Sequence, residues 1–134
     1  MWPNRLIVST EEQQHVLALD AVQRCSYALK RFVDTREAWV LWSEDLGVVL
    51  RQINGQTQVQ LWPAMQYAGL YVRENQINAT PIPVYLLDIL DRWIDHAEAY
   101  GWIFTVFPTS RDAALELSSR ELEQRVCKHM EDYE

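Results

Sequence analysis

Apolar positions recur at three- and four-residue intervals in several stretches of this 134-residue chain, with short alternating or fully apolar runs between them. The first spacing predicts amphipathic helices and the second predicts strands. Ser9 with Glu12 forms a capping-box pattern, which opens a helix expected to run to about residue 33. Ala18, Ala21, Val22, Cys25, Ala28, Leu29 and Phe32 share its apolar face, while Asp20, Gln23, Arg24, Tyr27, Lys30 and Arg31 take the other. Strands are predicted over 38–42, 48–53 and 57–61, the first two joined by the acidic turn Ser43-Glu44-Asp45-Leu46-Gly47. Asn54-Gly55 closes a hairpin between the second and third, because both residues accept positive φ. Gln58 and Gln60 alternate with Val59 and Leu61, so one face of that strand is expected to be wet.

Pro63 suits the start of a second helix reaching about residue 74, with Ala64, Tyr67, Ala68 and Tyr71 on one side. Residues 75–83 read as a connection broken by Pro81 and Pro83. A third helix is predicted over 84–100, with Leu86, Ile89, Leu90, Trp93, Ala97 and Tyr100 as its buried stripe and Gly101 as its stop. Residues 102–107 form the most apolar strand, expected to be central, and 113–117 form another. A capping box at Ser118 and Glu121 opens a last helix, with Leu122, Val126, Met130 and Tyr133 on one side. The expectation is a single α+β domain over 1–134: a mostly antiparallel sheet of about five strands covered by about four helices.

Composition narrows the function classes. Hydrophobic residues make up 49% of the chain, enough for a core and against disorder. The formal charge of −7 argues against binding a nucleic-acid backbone or an anionic membrane surface, and suits a protein partner with a basic surface. No segment is long and apolar enough for a signal peptide or a membrane span, so a cytoplasmic protein is expected. Cys25 and Cys127 stand far apart, with Cys25 in mid-stripe and expected to be buried and reduced.

Two aromatic-proline motifs stand out: Leu61-Trp62-Pro63 followed by Tyr67-Ala68, and Val106-Phe107-Pro108-Thr109. Each reads as a strand running into a proline stop. With Leu19 to Arg24, Trp39 and Trp42, and the span from Ile82 through Leu86 and Leu90 to Trp93, they cover roughly 16–130. In this order and spacing the chain resembles a small family of bacterial proteins, mainly proteobacterial, known only as a domain of unknown function. It departs from that pattern between Gly47 and Gly55, where it is less acidic. The resemblance implies a single cytosolic domain and brings no catalytic residues with it.

Chemistry-bearing constellations are sparse. Asp88, Asp91 and Asp95 lie on one helix side opposite the apolar stripe and read as a solvated face. His15, His96 and His129 have no metal-ligand spacing, and no cofactor signature is present. Two readings follow. The first is a non-catalytic protein-binding module, with Trp42, Asp45, Trp62, Tyr67, Pro108 and Thr109 as its contact residues. Toxin-neutralising immunity proteins are acidic modules of similar size, which makes them the analogy. The second is a small enzyme whose site assembles from dispersed groups such as Glu44, Asp45 and His96 in an aromatic pocket. In either reading, Trp93 and Phe107 are expected to be structural core residues.

Overall fold

The computed structural model describes residues 8–132. It contains α1 (Thr10–Leu17), α2 (Ala21–Thr35), β1 (Glu37–Ser43), β2 (Gly47–Val48), β3 (Arg51–Ile53), β4 (Gln56–Leu61), α3 (Met65–Asn75) and β5 (Thr80–Tyr85). There follow α4 (Leu86–Asp88), a π-helical turn (Ile89–Trp93), α5 (Ile94–Tyr100), β6 (Ile103–Val106), β7 (Leu115–Ser118) and α6 (Ser119–Glu131). The fold is α+β. The strands form two sheets, in the orders β2-β1-β5 and β3-β4-β6-β7, in place of the one sheet expected. Trp39 and Trp62 join them through a pair of backbone hydrogen bonds of 2.8 and 2.9 Å. Pairing is antiparallel except for β4 with β6, which run parallel. The buried apolar residues, from Val8 to Val126, make one contiguous core.

The first long helix is in fact two. Asp20 caps α2 by accepting from the Gln23 N–H at 2.8 Å, and the Gln23 side chain accepts from the Asp20 N–H in return. That reciprocal cap starts a new helix where periodicity alone runs on. It leaves Val22, expected inside, 60% exposed. It also turns Arg24, expected outside, into the core. Cys25 is fully buried, and burial pushes its thiol above the usual value. Both cysteines are free and Cys127 is exposed.

The expected strand over 48–53 splits, with β2 in one sheet and β3 in the other. Asn54 and Gly55 take φ of 51° and 79° and place Ile53 opposite Gln56, so the hairpin forms as read. The end of the connection expected over 75–83 is instead the start of β5, which pairs over its whole length with β1. Pro81 and Pro83 stand two apart, so their missing N–H groups fall on one side; β5 is an edge strand and can present that side outward. Gln58 and Gln60 are buried, not wet, because α3 and β7 supply partners. Gln58 donates to Glu116 and accepts from Thr105, and Gln60 donates to the Tyr71 hydroxyl. Tyr133 lies outside the described residues.

The π-helical turn resets the stripe between β5 and β6. A regular helix buries positions three and four apart; here Leu86, Ile89, Ile94 and Ala97 are buried, and the middle pair stand five positions apart. The extra residue per turn brings Ile94 into the core in the place expected for Trp93. Trp93 is only partly buried, and Tyr100 is 67% exposed. Arg120 on α6 ties this segment down by pairing with Asp95 at 3.1 Å and with Glu98, so Asp95 serves a surface ion-pair network.

Candidate functional site

Two distant regions of the sequence meet beyond the ends of the parallel strands β4 and β6. Trp62 follows β4 and is fully buried, and its indole N–H donates to the Pro108 carbonyl at 2.9 Å. Phe107 follows β6 and donates its N–H to the Leu61 carbonyl at 2.8 Å. The two aromatic-proline motifs therefore lock onto each other. Phe107 adopts φ of 62°, a strained conformation for a bulky residue. Its ring is held by Tyr67 at 4.7 Å, Tyr27 at 6.3 Å and the Arg24 guanidinium at 5.8 Å. These contacts fix an otherwise unfavourable backbone.

Arg24 latches this corner. It donates to Asp112 at 2.6 Å and to the Leu19 carbonyl at 2.8 Å, and Thr109 donates to the same Asp112 carboxylate at 3.2 Å. The Arg24 guanidinium holds the Asp112 carboxyl below its usual value. Tyr27 donates to Glu12 and lies 3.2 Å from the Tyr67 hydroxyl. Burial, reinforced by the bond to Glu12, pushes the Tyr27 phenol upward, and burial does the same for Tyr67. Both phenols stay protonated near neutral pH, where they bond and pack and do not exchange protons. The region leaves a cavity of ≈ 220 Å³ beside Tyr67, Pro108 and Thr109.

The six contact residues read from the sequence thus divide. Trp62, Tyr67 and Pro108 are buried within the corner, Thr109 is partly buried at its edge, and Trp42 and Asp45 are exposed on the opposite sheet. Burial explains the first three: each completes the junction between α3 and the strands. Phe107, expected in the core, is there; Trp93 is not fully so.

Trp42 and Asp45 belong to a second region, the β1–β2 turn. Ser43 accepts from the Leu46 N–H at 3.0 Å, and Gly47 takes φ of 74°. The positive φ is what calls for glycine here, since a Cβ at this position would meet the Trp42 ring only at an ordinary van der Waals distance of 3.5 Å. Trp42 is 42% exposed and Leu46 77% exposed, with Glu44 and Asp45 between them. This turn and the segment of Asn78, Thr80 and Ile82 border an open depression of ≈ 720 Å³.

On the other side of Leu46 lies a groove of ≈ 480 Å³. Val59 on β4 and Phe104 on β6 form its floor; Leu46, Val48 and Leu50 form one wall. Arg92, Trp93 and His96, with Trp102, form the other. His96 packs on Tyr100 at 4.5 Å and on Trp102 at 4.9 Å. None of these groove residues was read from the sequence as a group. Arg92 and His96 at i and i+4 were the available signal, since that spacing puts a guanidinium and an imidazole on one helix face. Glu44 and Asp45 line the depression and His96 the groove, so the dispersed catalytic set is not gathered into one cavity.

A family model described as "Protein of unknown function (DUF2750)" matches residues 25–126. The chain belongs to the DUF2750 family. No curated protein matches it. The DUF2750 match takes in the whole groove, the β1–β2 turn and both aromatic-proline motifs. Arg24 and Glu12, two charged members of the corner, precede it. Among the described residues of this DUF2750 chain, no group of three or more His, Cys, Asp or Glu side chains has metal-holding geometry, and no helix is long and apolar enough to cross a membrane.

Proposed function

We propose that this chain is a non-catalytic binding module whose contact face is the β1–β2 turn and whose partner is a protein with a basic surface. The observation that carries the reading is the pairing of exposed apolar anchors, Trp42 and Leu46, with the acidic residues Glu44 and Asp45 on one turn. An exposed tryptophan beside an open depression has the character of an interface anchor, since such positions are enriched at the energetic centres of contacts. The flanking carboxylates, in a chain of net charge −7, steer a basic partner into place. Toxin-neutralising immunity proteins are the analogy, which rests on size, acidity and fold class.

The test is affinity capture from the native host with the wild-type chain and with a Trp42→Ala, Leu46→Asp variant. Both positions are exposed, so the variant keeps its fold, as circular dichroism verifies. The partner is retained by the wild type and lost by the variant. With the purified partner, association slows as salt rises to physiological strength. A partner held equally by the variant, or an association rate indifferent to salt, would remove the turn or the charge from the reading. Specific turnover of a small molecule, abolished by a point change at Asp45 or His96 with the fold intact, would replace it with the enzyme.

A further inference from the structure

We infer that the groove behind Leu46 is a binding site for a small organic carboxylate with an aromatic or aliphatic body. Its volume of ≈ 480 Å³ falls within the range of small-ligand sites, which are mostly apolar with a few converging polar groups. Here the floor and walls are apolar and aromatic, and the polar groups are Arg92 and His96 on one helix face. Among the described residues Arg92 forms no ion pair, although Asp88 and Asp95 stand near it in sequence and Asp95 is taken by Arg120. An unpaired guanidinium at the lip of an apolar groove complements a planar carboxylate, which it can bind with two parallel hydrogen bonds. The groove thus offers a local cation within an acidic chain, and the charge selects an anionic head over a neutral or cationic one.

The π-helical turn is a second, independent pointer. It replaces Trp93 by Ile94 in the core and leaves the indole on the groove wall beside Arg92. A regular helix would bury that ring and close the wall. Such turns are rare and concentrate at functional sites. His96 meanwhile packs tilted on Tyr100 and edge-on against Trp102, and these contacts hold its ring on the same wall. This inference stands apart from the partner proposed for the β1–β2 turn: among the described residues Leu46 alone is common to the two depressions, and the test below turns on Arg92.

The full chain is titrated with phenylacetate, 3-phenylpropionate and octanoate, and with the neutral amide of each. Tryptophan fluorescence reports occupancy through Trp93 and Trp102, and saturation-transfer NMR reports it from the ligand side. At least one acid binds with a dissociation constant below about 1 mM. Its amide binds roughly tenfold more weakly, because the charge-assisted pair is lost. Arg92→Gln removes the difference between acid and amide, and Leu50→Trp, which fills the groove, removes binding of both. Arg92 is exposed, so its variant keeps the fold and keeps the test decisive if Leu50→Trp fails to fold. Absence of binding by all three acids, equal binding of acid and amide, or undiminished discrimination in the Arg92→Gln variant would each overturn the assignment.

Discussion

Cutting the Arg24–Asp112 latch from either side should cost unequal amounts. The Arg24 side chain is 2% exposed and that of Asp112 51% exposed. Removing one partner of a fully buried pair costs about 3–5 kcal/mol, whereas a fully exposed pair contributes about 0–1 kcal/mol. Asp112→Ala strands a buried cation that keeps only the Leu19 carbonyl and the face of Phe107, and whose Nε already lacks a partner among the described residues. Because water reaches the vacated side, we expect a loss of about 2 kcal/mol, between the two limits. Arg24→Met removes the desolvated charge itself, and the half-exposed carboxylate it leaves is taken up by water. Its cost should be about 1 kcal/mol or less. The double variant should resemble Arg24→Met alone. Urea unfolding at neutral pH measures all three, with unchanged slopes as the check on two-state behaviour. The pH dependence has a definite sign. Asp112 has a lowered pKa in the folded state, so its contribution is present above its ordinary value of 3.8 and is lost as pH falls through the folded-state value. Wild type and Asp112→Ala should therefore converge in that acid window. If Arg24→Met proves costlier than Asp112→Ala, or if the gap persists in acid, the desolvation argument fails.

Two other outcomes follow from burial. Phe107→Ala should cost about 3–5 kcal/mol, since a ring packed on three sides is removed, whereas Trp93→Ala should cost about half that or less because the indole lies on the groove wall; urea unfolding ranks the two, and the reverse order would put Trp93 in the core. A thiol reagent should modify Cys127 in the native protein and reach Cys25 only on denaturation, so rapid native labelling of Cys25 would contradict the packing of α2.

What was legible in the sequence was local. Asn54-Gly55, the capping box at Ser118 and the αL stop at Gly101 each depend on neighbours within a few residues and form as read, while at Ser9 only half of the box forms: its hydroxyl accepts from the Glu12 N–H and the Glu12 carboxylate goes to Tyr27 and Arg31. The failures share a different origin. The break before α2 was written in the same capping code, Asp20 with Gln23, but a continuous apolar stripe masked it. β5 was hidden by two prolines that only an open sheet edge tolerates. The split between β2 and β3, and the parallel pairing of β4 with β6, are tertiary choices with no local mark. Of the six contact residues read from the sequence, Trp42 and Asp45 are exposed because they sit at a turn. Trp62, Tyr67 and Pro108 went inward because the strand ends meet one another there and not solvent. The groove escaped notice because the π-helical turn that exposes Trp93 breaks the periodicity used to read the helix.

The position of Leu46 joins the two proposed sites physically. It lines both the acidic depression and the aromatic groove. A partner that buries Leu46 from the Trp42 side fixes one wall of the groove, and a ligand seated against Arg92 and Trp93 presses on the same residue from the other side. Any change the ligand makes in partner affinity must then be matched, factor for factor, by the change the partner makes in ligand affinity. Coupling of this kind needs only a shared side chain with more than one available rotamer, and Leu46 is 77% exposed on a tight turn. The sign depends on which rotamer each occupant selects: the same rotamer makes each strengthen the other, and different rotamers make them compete.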